Sequence, residues 1–268
     1  MVVAHRGEGG LEPENTIAAA LEAYANGADV MEVDVRQTLD GELVLLHDST
    51  LERTTNQTEV LPGAPEVGTL TLAQVQSVTI KDGLNTCTPQ SADSNPQRCR
   101  VPTLGALLQA VRGQVLVMLD YKDGEISAVA QAVANAGALD TAFFFDSNEQ
   151  NLDAAAQAGL LTMPRAQDAA STRDLILRRN PYAVHIDPGY LAEVQQDAQA
   201  AGVKLFLNLF LTVDFNLVAY SLTGDPQSQE DARNAMEMTL NNGAGMMQTD
   251  RAPEVRRMVD DWRARQAR

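Results

Sequence analysis

The chain predicts an α/β fold, a single (β/α)8 TIM-type barrel. Short apolar runs alternate with helical patterns along most of its length, the signature of βα units around a parallel sheet. About eight of those runs read as strands, the number that closes such a barrel. An open doubly wound sheet usually carries a Gly-rich phosphate turn after its first strand, and His5-Arg6-Gly7 does not fit that pattern.

In order, a strand over 2–4 leads to a helix over 15–26, with Asn15 as N-cap and Gly27 closing it. A second strand covers 29–36. Residues 37–113 form a hairpin and a long insertion, with helices expected at 72–78 and 104–112. A regular rhythm follows, with strands at 115–121, 142–145, 160–164, 183–186, 203–209 and 246–249. Helices alternate with them at 126–136, 149–158, 172–179, 191–201, 230–241 and 254–266. A long loop separates the strand ending at 209 from the helix beginning at 230. Gly113, Gly137, Gly159, Gly202 and Gly243 stand where helices stop. Residues 1–268 read as one domain with the 37–113 region inside it.

Of the 268 residues, 44% are hydrophobic, enough for a large core without metal or disulfide staples. The net charge of −16 disfavours nucleic acid and anionic lipid surfaces as partners. No uncharged apolar run approaches ~18 residues, so no stable membrane insertion is expected. The two cysteines, Cys87 and Cys99, lie in a polar, turn-rich stretch. A disulfide between them would gain ~3 kcal/mol in the chain-entropy model and imply a periplasmic or secreted protein. The first residues run straight into a strand without a signal-peptide pattern, so an exported protein would have lost that segment. The alternative is a pair of free thiols in the cytoplasm.

In a barrel the site lies at the C-terminal ends of the strands. His5 and Arg6 end the first strand, Glu32 and Asp34 lie near the end of the second, and Asp120 and Lys122 end the third. Strand residues two apart share a face, so Glu32 and Asp34 project together, as do Asp120 and Lys122. Convergent carboxylates repel unless a cation intervenes, and three of them suit one Mg²⁺ or Ca²⁺. Asp40-Gly41 signals a two-residue hairpin turn. If Leu39 and Glu42 close it, His47 falls opposite Asp34 and returns to the mouth. His5 and His47 then form an acid–base pair beside a metal, while Arg6 and Lys122 supply positive charge for an anionic small molecule. Lysine is scarce, with only Lys81, Lys122 and Lys204 among 20 basic residues. His185 is a candidate pocket residue and Glu14 a support for the rim. Asp225, Glu230 and Asp231 read as a solvated helix start.

Several of these residues lie in segments that resemble one family. HRG (5–7), PENT (13–16), ADVMEVDV (28–35), TLDGELVLLHD (38–48), LERTT (51–55), VPTL (101–104) and QTDRAP (248–253) are similar to segments of the glycerophosphodiester phosphodiesterases. The resemblance implies a phosphatidylinositol-phospholipase-C-like barrel that hydrolyses small-molecule glycerophosphodiesters to sn-glycerol 3-phosphate and an alcohol, with Mg²⁺ or Ca²⁺. It makes His5 and His47 the acid–base pair, Glu32 and Asp34 metal ligands, and Arg6 and Lys122 phosphate contacts. Asp120-Tyr121-Lys122 departs from the family's usual E-x-K, so the third ligand is one methylene shorter. Phe206-Leu207-Asn208 replaces a common W-T-x-N, leaving Asn208 as a substrate-facing candidate. The D-x-K strand and a cysteine-closed loop also resemble the sphingomyelinase D-like phospholipases, which eject the head group with a cyclic phosphate product. A non-catalytic phosphoester-binding barrel is the third reading, and it would not require an acid–base pair.

Overall fold

The computed structural model describes residues 1–7, 12–82, 85–86 and 99–268. Its strands are β1 (Val2–Ala4), β2 (Val30–Gln37), β3 (Leu43–Leu45), β4 (Lys81–Asp82), β5 (Asn85–Thr86), β6 (Leu116–Tyr121), β7 (Ala142–Asp146), β8 (Leu161–Pro164), β9 (Ala183–His185), β10 (Lys204–Asn208) and β11 (Met246–Thr249). Its α-helices are α1 (Ile17–Ala25), α2 (Gln57–Val60), α3 (Leu72–Val75), α4 (Leu104–Ala110), α5 (Ile126–Asn135), α6 (Glu149–Gln157), α7 (Ala169–Arg179), α8 (Leu191–Ala201), α9 (Phe215–Thr223), α10 (Pro226–Asn241) and α11 (Ala252–Gln266).

Eight strands run parallel in the order β8-β7-β6-β2-β1-β11-β10-β9. The two ends meet through a parallel bridge between Arg165 and His185. Tyr182 N–H donates to Thr162 O (3.0 Å) and Ala166 N–H to His185 O (2.8 Å), closing the expected barrel. The chain's apolar runs thus satisfy their backbone groups without leaving an open sheet edge.

The interior cluster takes one residue from each barrel strand: Val3, Val30, Met118, Phe143, Met163, Ala183, Phe206 and Met246. Outward-facing residues of β2, β6 and β7 pack under α4, α5 and α6. Those of β1 and β11 pack under α10 and α11, and those of β9 and β10 under α7 and α8. The insertion has a small core of its own around Val44, Leu51, Val67, Val75 and Val101. Its last piece, α4, belongs to the main helical layer through Leu104, Leu107 and Leu108. Among the described residues no helix is long and apolar enough to cross a membrane.

Three local expectations need correction. The first helix is capped by Thr16, whose Oγ1 accepts from Ala19 N–H at 3.0 Å, rather than by Asn15. The loop expected between residues 209 and 230 is largely helical. A π-helical turn (Phe210–Asp214) runs into α9, and α10 starts at Pro226 with Asp225 as its N-cap. That cap bears out the reading of Asp225 as a helix start.

The third correction is the hairpin register. The pairs are Val35 with Leu45, Arg36 with Val44 and Gln37 with Leu43, one residue away from expectation. The turn is a three-residue loop in which Thr38 N–H donates to Glu42 O at 2.9 Å. Gly41 takes the left-handed conformation (φ 84°), and Thr38 Oγ1 accepts from Glu42 N–H at 3.0 Å. Closing the loop one residue wider satisfies that N–H and uses the glycine for the left-handed step. Leu46, rather than His47, therefore faces Asp34, and its N–H donates to Asp34 O at 3.0 Å. Cys99 is buried and Cys87 lies outside the described residues, so the expected pairing falls outside them too.

Candidate active site

Strand side chains alternate across the sheet, so the position two residues beyond each interior residue again faces inward. Applied to the interior cluster, this step gives His5, Glu32, Asp120, Phe145, Arg165, His185, Asn208 and Gln248, a ring at the C-terminal mouth. One further step along β2 and β6 reaches Asp34 and Lys122. The sheet register sets Asp34 directly beside Asp120.

Glu32, Asp34 and Asp120 each bring an oxygen within 4.8 Å of the others. Glu32 is buried; its Oε2 accepts from Arg6 N–H (2.8 Å) and Gln248 Nε2 (3.3 Å), while Oε1 has no hydrogen-bond partner. Burial, then the charges of Asp34 and Asp120, push its carboxyl well above the usual range. Burial also raises Asp120, against the pull of Lys122. Lys122 Nζ lies 3.0 Å from Asp34 Oδ1 and 2.9 Å from Asp120 Oδ2. An ammonium thus bridges two of the three acids that the sequence suggested as ligands. The unpaired Glu32 oxygen and the all-oxygen donor set fit a hard divalent cation.

His5 continues β1, with its N–H on Thr249 O at 3.0 Å. Its Nδ1 pairs with Asp250 Oδ1 at 2.6 Å, and Nε2 lies 3.9 Å from Glu32 Oε2. With Nδ1 engaged by Asp250, Nε2 is the ring nitrogen turned toward the acid cluster. The ring rests against Phe210, centroids 4.7 Å apart.

Arg6 follows at φ 53°, and Gly7 at φ 76°. A Cβ on Gly7 would stand 2.7 Å from Ala19 Cβ, so this tight turn against α1 requires glycine. The turn aims Arg6 N–H at Glu32 and its guanidinium at Glu14 (2.9 Å) and Asp34 (3.5 Å). Glu14 also takes Arg53 in two hydrogen bonds of 2.8 and 2.7 Å, so it organises the rim.

His47 reaches the mouth despite the altered register. Beyond β3 the chain bends, and Arg36 Nη2 holds His47 O at 2.7 Å. His47 Nδ1 pairs with Asp48 Oδ1 at 2.8 Å. Asp48 is held at about 2, first by its hydrogen bond from Arg53 and less by His47. His47 lies near enough to Asp120 to pull that carboxyl downward. Both histidines of the expected pair therefore have a carboxylate behind Nδ1.

Asn208 is on the ring, with Oδ1 buried and unpartnered. His185 is buried between Phe145 and Phe206, at centroid distances of 5.5 and 4.9 Å. Burial, then Arg165, lowers it to about 4, partly offset by Asp187.

Sequence reasoning missed four residues. Asn15, at φ 58°, donates from Nδ2 to Asp34 Oδ2 (2.7 Å) and accepts Asp34 N–H on Oδ1 (3.0 Å). Gln248 supports Glu32, Asp250 supports His5, and Arg36 anchors the His47 backbone. Asn15, Gln248 and Asp250 stand inside PENT and QTDRAP, a signal that could have found them.

A model of the glycerophosphoryl diester phosphodiesterase family matches residues 5–225. A glycerophosphodiester phosphodiesterase of Caldanaerobacter subterraneus is 55% identical over 56 residues, 21% of this chain and 23% of that protein. The uncharacterized protein Rv2277c of Mycobacterium tuberculosis is 30% identical over 225 residues, 81% of this chain and 69% of its own length. The match to the first of these relatives thus spans under a quarter of its length. A glycerophosphodiester phosphodiesterase structure from Agrobacterium tumefaciens superposes with a TM-score of 0.71 at 25% identity, covering 95% of this chain and 97% of that one.

Proposed function

Because the chain belongs to the glycerophosphoryl diester phosphodiesterase family, we propose that it hydrolyses small-molecule glycerophosphodiesters to sn-glycerol 3-phosphate and an alcohol. The observation that carries this reading is the pair of carboxylate-backed histidines, His5 and His47, beside the Glu32–Asp34–Asp120 cluster. Glu32, Asp34 and Asp120 would hold one Mg²⁺ or Ca²⁺, which when bound polarises a phosphoryl oxygen and neutralises its charge. Arg6 and Lys122 take the remaining phosphoryl oxygens, with Lys122 turning from its carboxylate partners toward the substrate. One histidine removes a proton from the attacking water as the new P–O bond forms. The other protonates the departing alkoxide as the old P–O bond breaks. Asp250 and Asp48 hold the two rings and stabilise the imidazolium that each forms. Asn208 faces the substrate from the opposite wall.

Phosphorus NMR of a glycerophosphocholine digest, with and without chelator, tests the reading. Metal-dependent appearance of sn-glycerol 3-phosphate is the expected result. A cyclic phosphate product would instead assign the sphingomyelinase D-like reaction, and binding without turnover the non-catalytic barrel. We further propose that Cys87 and Cys99 are bonded and the protein is exported. Thiol titration of the unfolded, unreduced chain should find no free thiol, and two would remove the case for both.

A further inference from the structure

The segment joining β10 to α10 carries an apolar surface that the reaction does not use. Leu211 is 91% exposed, Phe215 66%, Val218 44% and Leu222 82%. Their spacing of four, three and four residues keeps them on one side of the π turn and α9. The opposite side is already satisfied, since Val213 and Leu217 are buried with Ala232 and Met236 of α10. This helix is therefore apolar on its solvent side as well as on its core side, an arrangement that marks an interaction surface.

The stripe is tied to the mouth by hydrogen bonds and a ring contact. Asp214, buried between the π turn and α9, accepts from Thr249 Oγ1 at 2.6 Å and from Asp250 N–H at 2.9 Å. The same Asp250 holds His5, and Phe210, at the start of the turn, packs on the His5 ring. The apolar surface is thus continuous with one edge of the candidate site.

Charge selects what covers it. From Leu205 to Gly224 the only charged side chain is Asp214, while the whole chain carries −16. A second copy would bring another −16 toward the first, and an anionic bilayer would be repelled in the same way. A zwitterionic lipid surface offers apolar depth without net charge, and a helix of this kind can lie in such an interface.

We propose that the Leu211–Phe215–Val218–Leu222 stripe docks the barrel mouth reversibly on zwitterionic lipid surfaces. This deepens the phosphodiesterase reading, on which it rests for its use: a docked mouth would meet phosphodiesters that still carry an acyl chain. The docking itself requires no turnover.

The full chain, in chelator, is floated with phosphatidylcholine vesicles. Wild type is expected to float, Leu211→Ser to lower the bound fraction constant roughly fivefold or more, and Leu211→Ser/Phe215→Ser/Leu222→Ser to abolish it. Turnover of soluble glycerophosphocholine should be unchanged in these variants, since none of the three residues is placed in the catalytic machinery. If the triple variant fails to fold, Leu211→Ser, at a side chain already in solvent, decides the matter. No flotation of wild type, or equal flotation of the variants, overturns the proposal. So does tighter binding to vesicles enriched in phosphatidylglycerol. A concentration-dependent dimer that the triple variant dissolves in sedimentation velocity would assign the stripe to a second copy instead. Because binding is read without catalysis, loss of the enzymatic reading would leave a positive flotation result standing.

Discussion

Across β1, β2 and β6 the mouth carries His5, Glu32, Asp34, Asp120 and Lys122. Across β7 to β10 the equivalent inward positions carry Phe145, Arg165, His185 and Asn208. The strand geometry is the same on both sides, yet the two histidines on the ring are held in opposite ways. His5 has Asp250 on Nδ1 at 2.6 Å. His185 lies between two phenylalanine rings, with its buried Nδ1 unpartnered and its imidazole lowered to about 4. A carboxylate partner stabilises an imidazolium, whereas burial between apolar rings opposes one. On the proposed reading, proton transfer belongs to the acidic side, and the rings of Phe145 and His185 with Arg165 form the facing wall.

The sharpest test of that division replaces each histidine. His5→Ala and His47→Ala are expected to lower kcat by ~10²–10⁴-fold each, and the double variant by little more, because both serve one proton cycle. With a p-nitrophenyl leaving group, the variant lacking the general acid should recover most of its activity and the other should not. Steady-state kinetics on both substrates check this. Near-wild-type kcat in either variant would make that histidine structural.

Next in size is the acid cluster. Glu32→Gln keeps the shape and removes one charge, and we expect kcat to fall by ~10²–10³-fold, the range for losing one preorganised electrostatic contact. Chelation should abolish wild-type activity, with recovery on adding Mg²⁺ or Ca²⁺. Isothermal titration with either ion should show weaker binding in the variant. Full activity in exhaustively chelated enzyme would take the metal out of the mechanism.

Asp250→Asn probes the support behind His5. A loss of roughly 10–100-fold in kcat is expected, with KM little changed, as for other residues that orient a functional group from behind. Asp250→Glu should recover part of that loss, because it restores a carboxylate to Nδ1. A stability defect with kcat unchanged would reduce Asp250 to a structural role.

The smallest catalytic effect is expected on the aromatic side, where the readout is stability. His185 is neutral when folded, and its ordinary value of 6.5 is lowered to about 4 by burial and Arg165. The unfolded chain therefore binds the extra proton first as pH falls. Stability from this group is complete above about 6.5 and is lost progressively down to about 4, a change of ~3 kcal/mol at most. His185→Phe should flatten that part of the denaturation profile and change turnover of a small substrate only a few-fold. Urea melts between pH 7 and pH 4 compare the two proteins.

The barrel and the placement of most candidate-site residues were legible in one dimension because they follow from short-range rules. The alternation of apolar runs with helical patterns marks the βα units, and a strand's period of two places Glu32 with Asp34 and Asp120 with Lys122 on inward faces. His5 needed only the rule that barrel sites lie at strand ends. The hairpin register was not legible, because two closures of Leu39-Asp40-Gly41-Glu42 compete. The wider one wins through the Thr38 side chain and the left-handed Gly41. His47 still arrives at the mouth because Arg36, a residue of the neighbouring strand, grips its carbonyl. Asn15 carried the local marks of a helix cap, but it serves Asp34, which lies 19 positions away in the chain. Asp250 meets His5 across 245 positions. The second pair depends on β11 lying beside β1, and no local pattern of residues encodes either distance. Helix α9 was missed for a related reason. Its residues carry no charged face to reveal a helical period, and what positions it is a buried hydrogen bond from Thr249, at the end of β11, to Asp214.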